Sequence, residues 1–322
     1  MKKLFSLILI IALFALVLTG CHKWYKNDYA LMIGVTTSQS GAEVSHTVAA
    51  IIIDEDYKIV SCRIDAIAIK AERNDDGALV ATPNFVSEDG TVKELRSKME
   101  LGPDYGMLTN SPYYGSSLAE WDDQAKAFEK YVVGKTREEV KNITDLDGKV
   151  SDETLTAGCT IGVSDFIKAI DNAFATGYMV GLQTKSDITL GLSIASAGVK
   201  GTETASFTAD FAAVALVDGK VLAAIIDSKE VTCMVSTTGK FDKISDKGTK
   251  LEQGDDYGML TNSPYFGSSL AEWYDQAQAY ADSAIGKSVS ELAALETEGV
   301  AGCTIYSGGY KMALEKAAHN AR

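Results

Sequence analysis

Apolar and polar positions change their rhythm in a fixed order along the chain, and then the whole order repeats. AAIIIDEDYKIVSCRID (49–65) reads as two apolar strands around a polar turn. AAVALVDGKVLAAIID (212–227) reads the same way with one residue fewer. Asp218-Gly219 is a hairpin signal, because two-residue hairpin turns need positive φ and glycine accepts it. After the strands the period lengthens to that of a helix. Leu118, Trp121, Ala125, Phe128 and Val132 share one face, as do Leu270, Trp273, Ala277 and Tyr280. Ser117-Leu118-Ala119-Glu120 and Ser269-Leu270-Ala271-Glu272 have the spacing of capping boxes. Gly134 and Gly286 follow as helix stops. A second helix is expected from about Ser164, burying Phe166, Ile170 and Phe174 and ending by Gly177. Its counterpart carries Tyr310, Ala313, Leu314 and Ala317 on one face.

The repeat is closest in DYGMLTNSPYYGSSLAEWDDQA (104–125) and DYGMLTNSPYFGSSLAEWYDQA (256–277), which differ only at Tyr114/Phe266 and Asp122/Tyr274. TAGCTIGVSDFIKAI (156–170) also matches VAGCTIYSGGYKMAL (300–314). The first pair is offset by 152 residues and the second by 144, so the second copy is eight residues shorter between them. A period of this size means a duplicated domain, not a solenoid of short repeats. The expected organisation is residues 22–176 as repeat one and 177–322 as repeat two. Strands precede helices in each, which predicts an α+β class: two tandem copies of a mostly antiparallel sheet, each packed with two helices.

The first 21 residues follow a different logic. Lys2 and Lys3 precede an apolar run from Leu4 to Leu18, broken only by Ser6. That run is shorter than the roughly 20 residues a membrane-spanning helix needs and has the layout of a signal peptide. Leu18-Thr19-Gly20-Cys21 resembles the lipobox of bacterial lipoproteins, which implies lipidation at Cys21 after cleavage. The expected location is therefore the extracytoplasmic face of a cell membrane, with the lipid as anchor. A net charge of -14, from 44 acidic and 30 basic residues, argues against a nucleic-acid partner. The three histidines, His22, His46 and His319, are scattered, so neither a histidine metal site nor a histidine-dependent triad is expected. Cys62, Cys159, Cys233 and Cys303 match no zinc spacing. They read either as small buried hydrophobes or, outside the cytoplasm, as disulfide partners.

Chemistry is best sought at the AGCT motifs. A glycine there permits close backbone approach, a threonine hydroxyl follows two residues later, and a helix begins a few residues on. A helix N-terminus favours a phosphate, so Thr160 and Thr304 are candidate anchor points, with Gly158 and Gly302 beside them. The alternative is a tight loop whose threonines cap backbone groups. Strand hairpins, an acidic residue and a Ser-Gly-Ala-Thr motif opening a helix are the layout of the FMN-binding domain, which this chain resembles in both halves. That family occurs in ion-pumping redox complexes and in Gram-positive electron-transfer lipoproteins. Here Glu298-Gly-Val-Ala-Gly-Cys-Thr304 stands for Asp-x-x-Ser-Gly-Ala-Thr, with Ala301 in place of serine and Cys303 in place of alanine. In repeat one Thr154 occupies the acidic position, with Asp152 and Glu153 just upstream. The resemblance implies FMN attached through the motif's last threonine by a flavin transferase, and electron transfer from a membrane donor.

The near-identical stretch supplies the other candidates. Tyr113 and Tyr265 offer faces for stacking on a planar ring, and Asn110 and Asn262 offer amide donors and acceptors. Trp121 and Trp273 fall on the apolar helix face and read as core. Acidic clusters such as Asp54-Glu55-Asp56 lack the alternation and the glycine of a calcium loop and read as solvated turns. No catalytic nucleophile motif or dinucleotide fingerprint is present. The two functional alternatives to a flavin carrier are a non-redox surface module for a small ligand, peptide or cell-wall component, and a repeat scaffold with no ligand.

Overall fold

The computed structural model describes residues 28–110, 118–144, 150, 152–184, 186–262, 265 and 270–322. The leader with Cys21, and Tyr113, lie outside that set. The first half opens with β1 (Asp28–Ser40), β2 (Glu43–Asp54) and β3 (Ile59–Arg73), then short β4 (Leu79–Ala81), β5 (Phe85–Val86) and β6 (Lys93–Glu94). Helices follow: α1 (Lys98–Leu101), α2 (Trp121–Val132), α3 (Arg137–Lys141), α4 (Glu153–Thr156) and α5 (Ser164–Thr176). After β7 (Val180–Gln183) the second half repeats the order with β8 (Thr189–Gly201), β9 (Thr204–Val217), β10 (Lys220–Met234) and β11 (Ser245–Thr249). Its helices are α6 (Lys250–Gln253), α7 (Trp273–Asp282), α8 (Val289–Leu292) and α9 (Gly308–His319). The class is α+β, with every strand pairing antiparallel.

Sheet one runs β4-β3-β2-β1-β7 and sheet two runs β11-β10-β9-β8. β7 lies beyond the division at residues 176 and 177, yet it pairs with β1, Leu182 opposite Tyr29. The expected hairpin at Asp218-Gly219 forms, with φ of 50° and 74° at the two turn residues and Val217 facing Lys220.

The side-chain alternation of β1 decides the architecture. Ala30 and Met32 point to one face, where they join Phe128, Phe166 and Ile170 of α2 and α5 in one core. Leu31, Ile33 and Val35 point to the other face and join Phe207, Phe211 and their neighbours of sheet two. β3 lies against β8, β2 against β9 and β1 against β10, while α7 and α9 cover the outer face of sheet two. The two repeats thus form four layers, helix–sheet–sheet–helix. Every central strand is covered on both sides, which explains why the runs AAIII (49–53) and AAVALV (212–217) are continuously apolar.

Each second helix approaches its sheet at a glycine. A Cβ on Gly34 would collide with the backbone of Ala169 and Ala173 in α5, and one on Gly191 with the carbonyl of Ala317 in α9. Between the sheets, His46 is fully buried; its Nδ1 lies 2.9 Å from Thr37 Oγ1 and its ring meets Phe211 edge-on at 6.1 Å. Burial pushes its pKa down to about 3, so the imidazole is neutral. Cys62, Cys159, Cys233 and Cys303 are all buried free thiols, which settles them as small core residues.

Candidate functional site

The near-identical stretch builds the same hydrogen-bonded unit twice. Glu120 does not act as the third residue of a capped helix. The helix begins at Trp121, with Glu120 as its cap residue and no side-chain capping bond. The Glu120 carboxylate instead accepts the backbone N–H groups of Met107 and Leu108, at 2.8 and 3.0 Å. Glu272 does the same for Met259 and Leu260, at 2.8 and 3.0 Å. Leu118 and Leu270, expected on the buried helix face, lie ahead of the helices and are exposed. A carboxylate that ties two orphan N–H groups of the preceding loop explains much of the repeat's constancy without any ligand. Asn110 and Asn262 serve the same loop, each donating its side-chain amide to the carbonyl of Gly106 or Gly258 at 3.0 Å.

The next turn of each helix reaches the AGCT motif. Gln124 and Gln276 are buried. The side-chain carbonyl of Gln124 accepts the N–H of Thr160 at 2.8 Å and its hydroxyl at 3.1 Å. Gln276 holds Thr304 in the same way, both bonds at 2.8 Å. The glycines permit close approach, but to protein: a Cβ on Gly158 would sit 2.9 Å from Ala127 Cβ, and one on Gly302 3.0 Å from Ala279 Cβ. Thr160 and Thr304 themselves are exposed, four residues before α5 and α9 begin. Cys159 and Cys303 turn inward beside them.

A lysine completes each unit. Lys98, first residue of α1, puts its ammonium 5.0 Å from the Tyr105 ring centroid and 5.2 Å from that of Trp121. Lys250, first residue of α6, stands 5.3 Å from Tyr257 and 5.1 Å from Trp273. Burial lowers the pKa of both, and nearby carboxylates oppose the shift. For Lys98 these are Glu43, Asp65 and Asp165; for Lys250 they are Asp210, Asp227 and Glu230. Asp65 and Asp227 are themselves an equivalent pair. Asp65 accepts the N–H of Ala66 and of Met99 in α1, at 2.7 and 3.1 Å. Asp227 accepts those of Ser228 and of Leu251 in α6, at 2.7 and 3.2 Å. Burial raises both carboxyls to about 7.

In the second repeat this unit borders a cleft of about 400 Å³ lined by Asp210, Lys250, Tyr257, Trp273, Thr304, Tyr306 and Tyr310. Sequence reasoning found Thr304 here and read Trp273 and Tyr310 as core, but missed Lys250, Tyr306 and Asp210. The signal was available: KMELGPDYG (98–106) and KLEQGDDYG (250–258) extend the repeat upstream and carry the lysine in both copies. Tyr306 and Asp210 have no such signal, because Gly162 and Thr47 replace them in repeat one. Among the described residues expected at the site, Gly302, Glu298, Asn262 and Tyr265 do not line the cleft. Glu298 is exposed and Tyr265 is 86% exposed.

The residues present fit FMN. An exposed threonine oxygen and an ammonium suit its phosphate, the accessible rings of Tyr257 and Tyr306 suit its ring, and Trp273 and Tyr310 are buried. Against covalent attachment stands the Thr304 hydroxyl's bond to Gln276, whose hydrogen an ester would remove. Among the described residues no cluster of three or more His, Cys, Asp or Glu could hold a metal ion, and no helix is long and apolar enough to cross a membrane. Compared with protein-family models, curated proteins and solved structures, the chain matches none.

Proposed function

We propose that the second repeat seats FMN and that the protein is a lipid-anchored electron carrier on the extracytoplasmic face of a membrane. One observation carries the reading: the exposed Thr304 lies at a cleft that also holds an ammonium and three aromatic rings besides Tyr306. FMN, when bound, supplies reversible electron transfer. Lys250 stabilises negative charge in a half-buried place where it is weakly screened. Tyr257, Trp273 and Tyr310 line the cleft, and the exposed Tyr306 offers a further ring face beside it. Thr304 is the residue whose hydroxyl would take the flavin phosphate from a flavin dinucleotide on a flavin transferase, the pyrophosphate bond breaking and the nucleoside monophosphate leaving as the hydroxyl proton is released. Cys21 is the residue for the lipid that keeps the site near a membrane electron donor.

The test is the absorbance of protein purified from its native host, together with the mass of chain co-expressed with a flavin transferase. Bound flavin, or an adduct lost in Thr304→Val, is the expected result. Colourless protein with neither bound flavin nor adduct overturns the reading. A second reading, a non-redox module that binds a small anionic aromatic ligand, is favoured by the engagement of both threonine hydroxyls with Gln124 and Gln276. It predicts a colourless protein whose ligand binding is lost in Tyr306→Ala.

A further inference from the structure

Both caged lysines face strand carboxylates, Glu43 and Asp65 for Lys98 and Asp210, Asp227 and Glu230 for Lys250, and only repeat one adds a carboxylate from the helix. In repeat one the helix supplies Asp165 close to Lys98. In repeat two the corresponding helix position is Gly309, and the strand supplies Asp210 close to Lys250. Thr47 takes the place of Asp210 in β2; the strand registers fix this, since Thr47 faces Ala66 and Asp210 faces Ser228, each one residue past the equivalent Asp65 and Asp227. The exchange is sterically coupled. A Cβ on Gly309 would overlap the Asp210 carboxylate and sit 2.6 Å from Ser196 Oγ. Ser196 in turn has a left-handed φ of 49°, at the point where β8 bulges against β9. The carboxylate therefore fills the space that a side chain on the helix would take, and it faces the cleft.

From this geometry we infer that Asp210 and Lys250 are a specificity pair, so that the second-repeat cleft selects a planar ring bearing both an N–H donor and an anionic group, and the first repeat does not. This rests on the flavin reading of the cleft and deepens it. The isoalloxazine ring carries an imide N–H, a donor that a carboxylate accepts strongly. The phosphate is the anionic group that Lys250 faces. Repeat one has an uncharged hydroxyl at Thr47, carries its carboxylate on the helix at Asp165 instead, and has Gly162 where Tyr306 borders the second-repeat cleft, so its acceptor rises from a different element. The duplicated scaffold is then shared, while ligand selection belongs to the few positions where the copies differ.

Titration of the full-length protein with FMN and with riboflavin, read by quenching of flavin fluorescence, separates the two roles. Wild type is expected to bind one flavin per chain and to prefer FMN. Lys250→Met should remove the preference for FMN over riboflavin. Asp210→Asn should weaken both flavins about tenfold or more, the scale of a charge-assisted hydrogen bond. Gly309→Ala, which displaces the carboxylate without removing it, should weaken both as well, and circular dichroism identifies any variant that is unfolded. Unchanged affinity in folded Asp210→Asn or Gly309→Ala, an unchanged FMN preference in Lys250→Met, or two equal sites per chain overturns the inference and leaves the flavin reading standing. Failure of wild type to bind either flavin, with no flavin on protein from the native host, removes both.

Discussion

Asp65, Asp227 and His46 make stability depend on pH in a way that substitution should reverse in sign. All three are almost completely buried. Each aspartate's carboxyl is raised from 3.8 to about 7 by burial. The native state therefore holds a proton that the unfolded chain has released. The stabilisation is complete below about 4 and is lost as pH rises toward 7, at about 1.4 kcal/mol per pH unit for each aspartate. His46 runs the other way. Its pKa falls from 6.5 to about 3, so below 6.5 the unfolded chain binds the extra proton. Its contribution rises with pH by about 1.4 kcal/mol per unit between those limits. From pH 4.5 to 6.5 these three groups sum to a loss of about 1.4 kcal/mol per unit in wild type. Asp227→Asn keeps an oxygen to accept the Leu251 and Ser228 N–H groups but cannot titrate, which brings the sum near zero. The double variant Asp65→Asn/Asp227→Asn leaves His46 alone and turns the sum to a gain of about 1.4 kcal/mol per unit. The assay is urea unfolding at pH 4.5, 5.5 and 6.5, comparing slopes among variants so that unaltered groups cancel. A double variant with the wild-type slope would refute the assignment of neutral carboxyls to these positions.

Further outcomes follow from the packing. Gln276→Ala removes the acceptor for Thr304 and the amide bonded to the Ala271 carbonyl. It should cost about 2–3 kcal/mol by denaturant unfolding and speed hydrogen exchange at Thr304. Gly34→Ala or Gly191→Ala forces a methyl group into the backbone of α5 or α9, with an expected loss of about 3 kcal/mol in the same assay. The four core thiols, including Cys159 with its pKa pushed up to about 11 by burial, should not react with a thiol reagent in the native protein. All four should react in denaturant.

The constant stretch illustrates how far a sequence carries such an argument. Its near-identity pointed to ligand-facing tyrosines and asparagines, whereas much of it is internal structure. Glu120 and Glu272 tie a loop, Gln124 and Gln276 hold a threonine, and Asn110 and Asn262 close their own turns. The capping-box reading failed because a Ser-x-x-Glu pattern does not say whether the glutamate bonds within its own helix or across to a preceding loop. Cleft residues such as Asp210 and Tyr306 were illegible for the opposite reason: they are the positions at which the copies differ.

What the sequence determined by itself is periodic or repeated: the duplication, the α+β order, the Asp218-Gly219 turn, and the buried faces of α5 and α9. Each of these depends on neighbours along the chain, where spacing and turn chemistry act directly. What only the tertiary structure decided is the stacking of the two sheets into one core, the attachment of β7 to sheet one, and the meeting of Lys250, Asp210 and Thr304 at one cleft. Those residues lie on a helix, a strand and a loop far apart in the chain. Only the packing of α6, β9 and the loop before α9 around one outer sheet face brings them together.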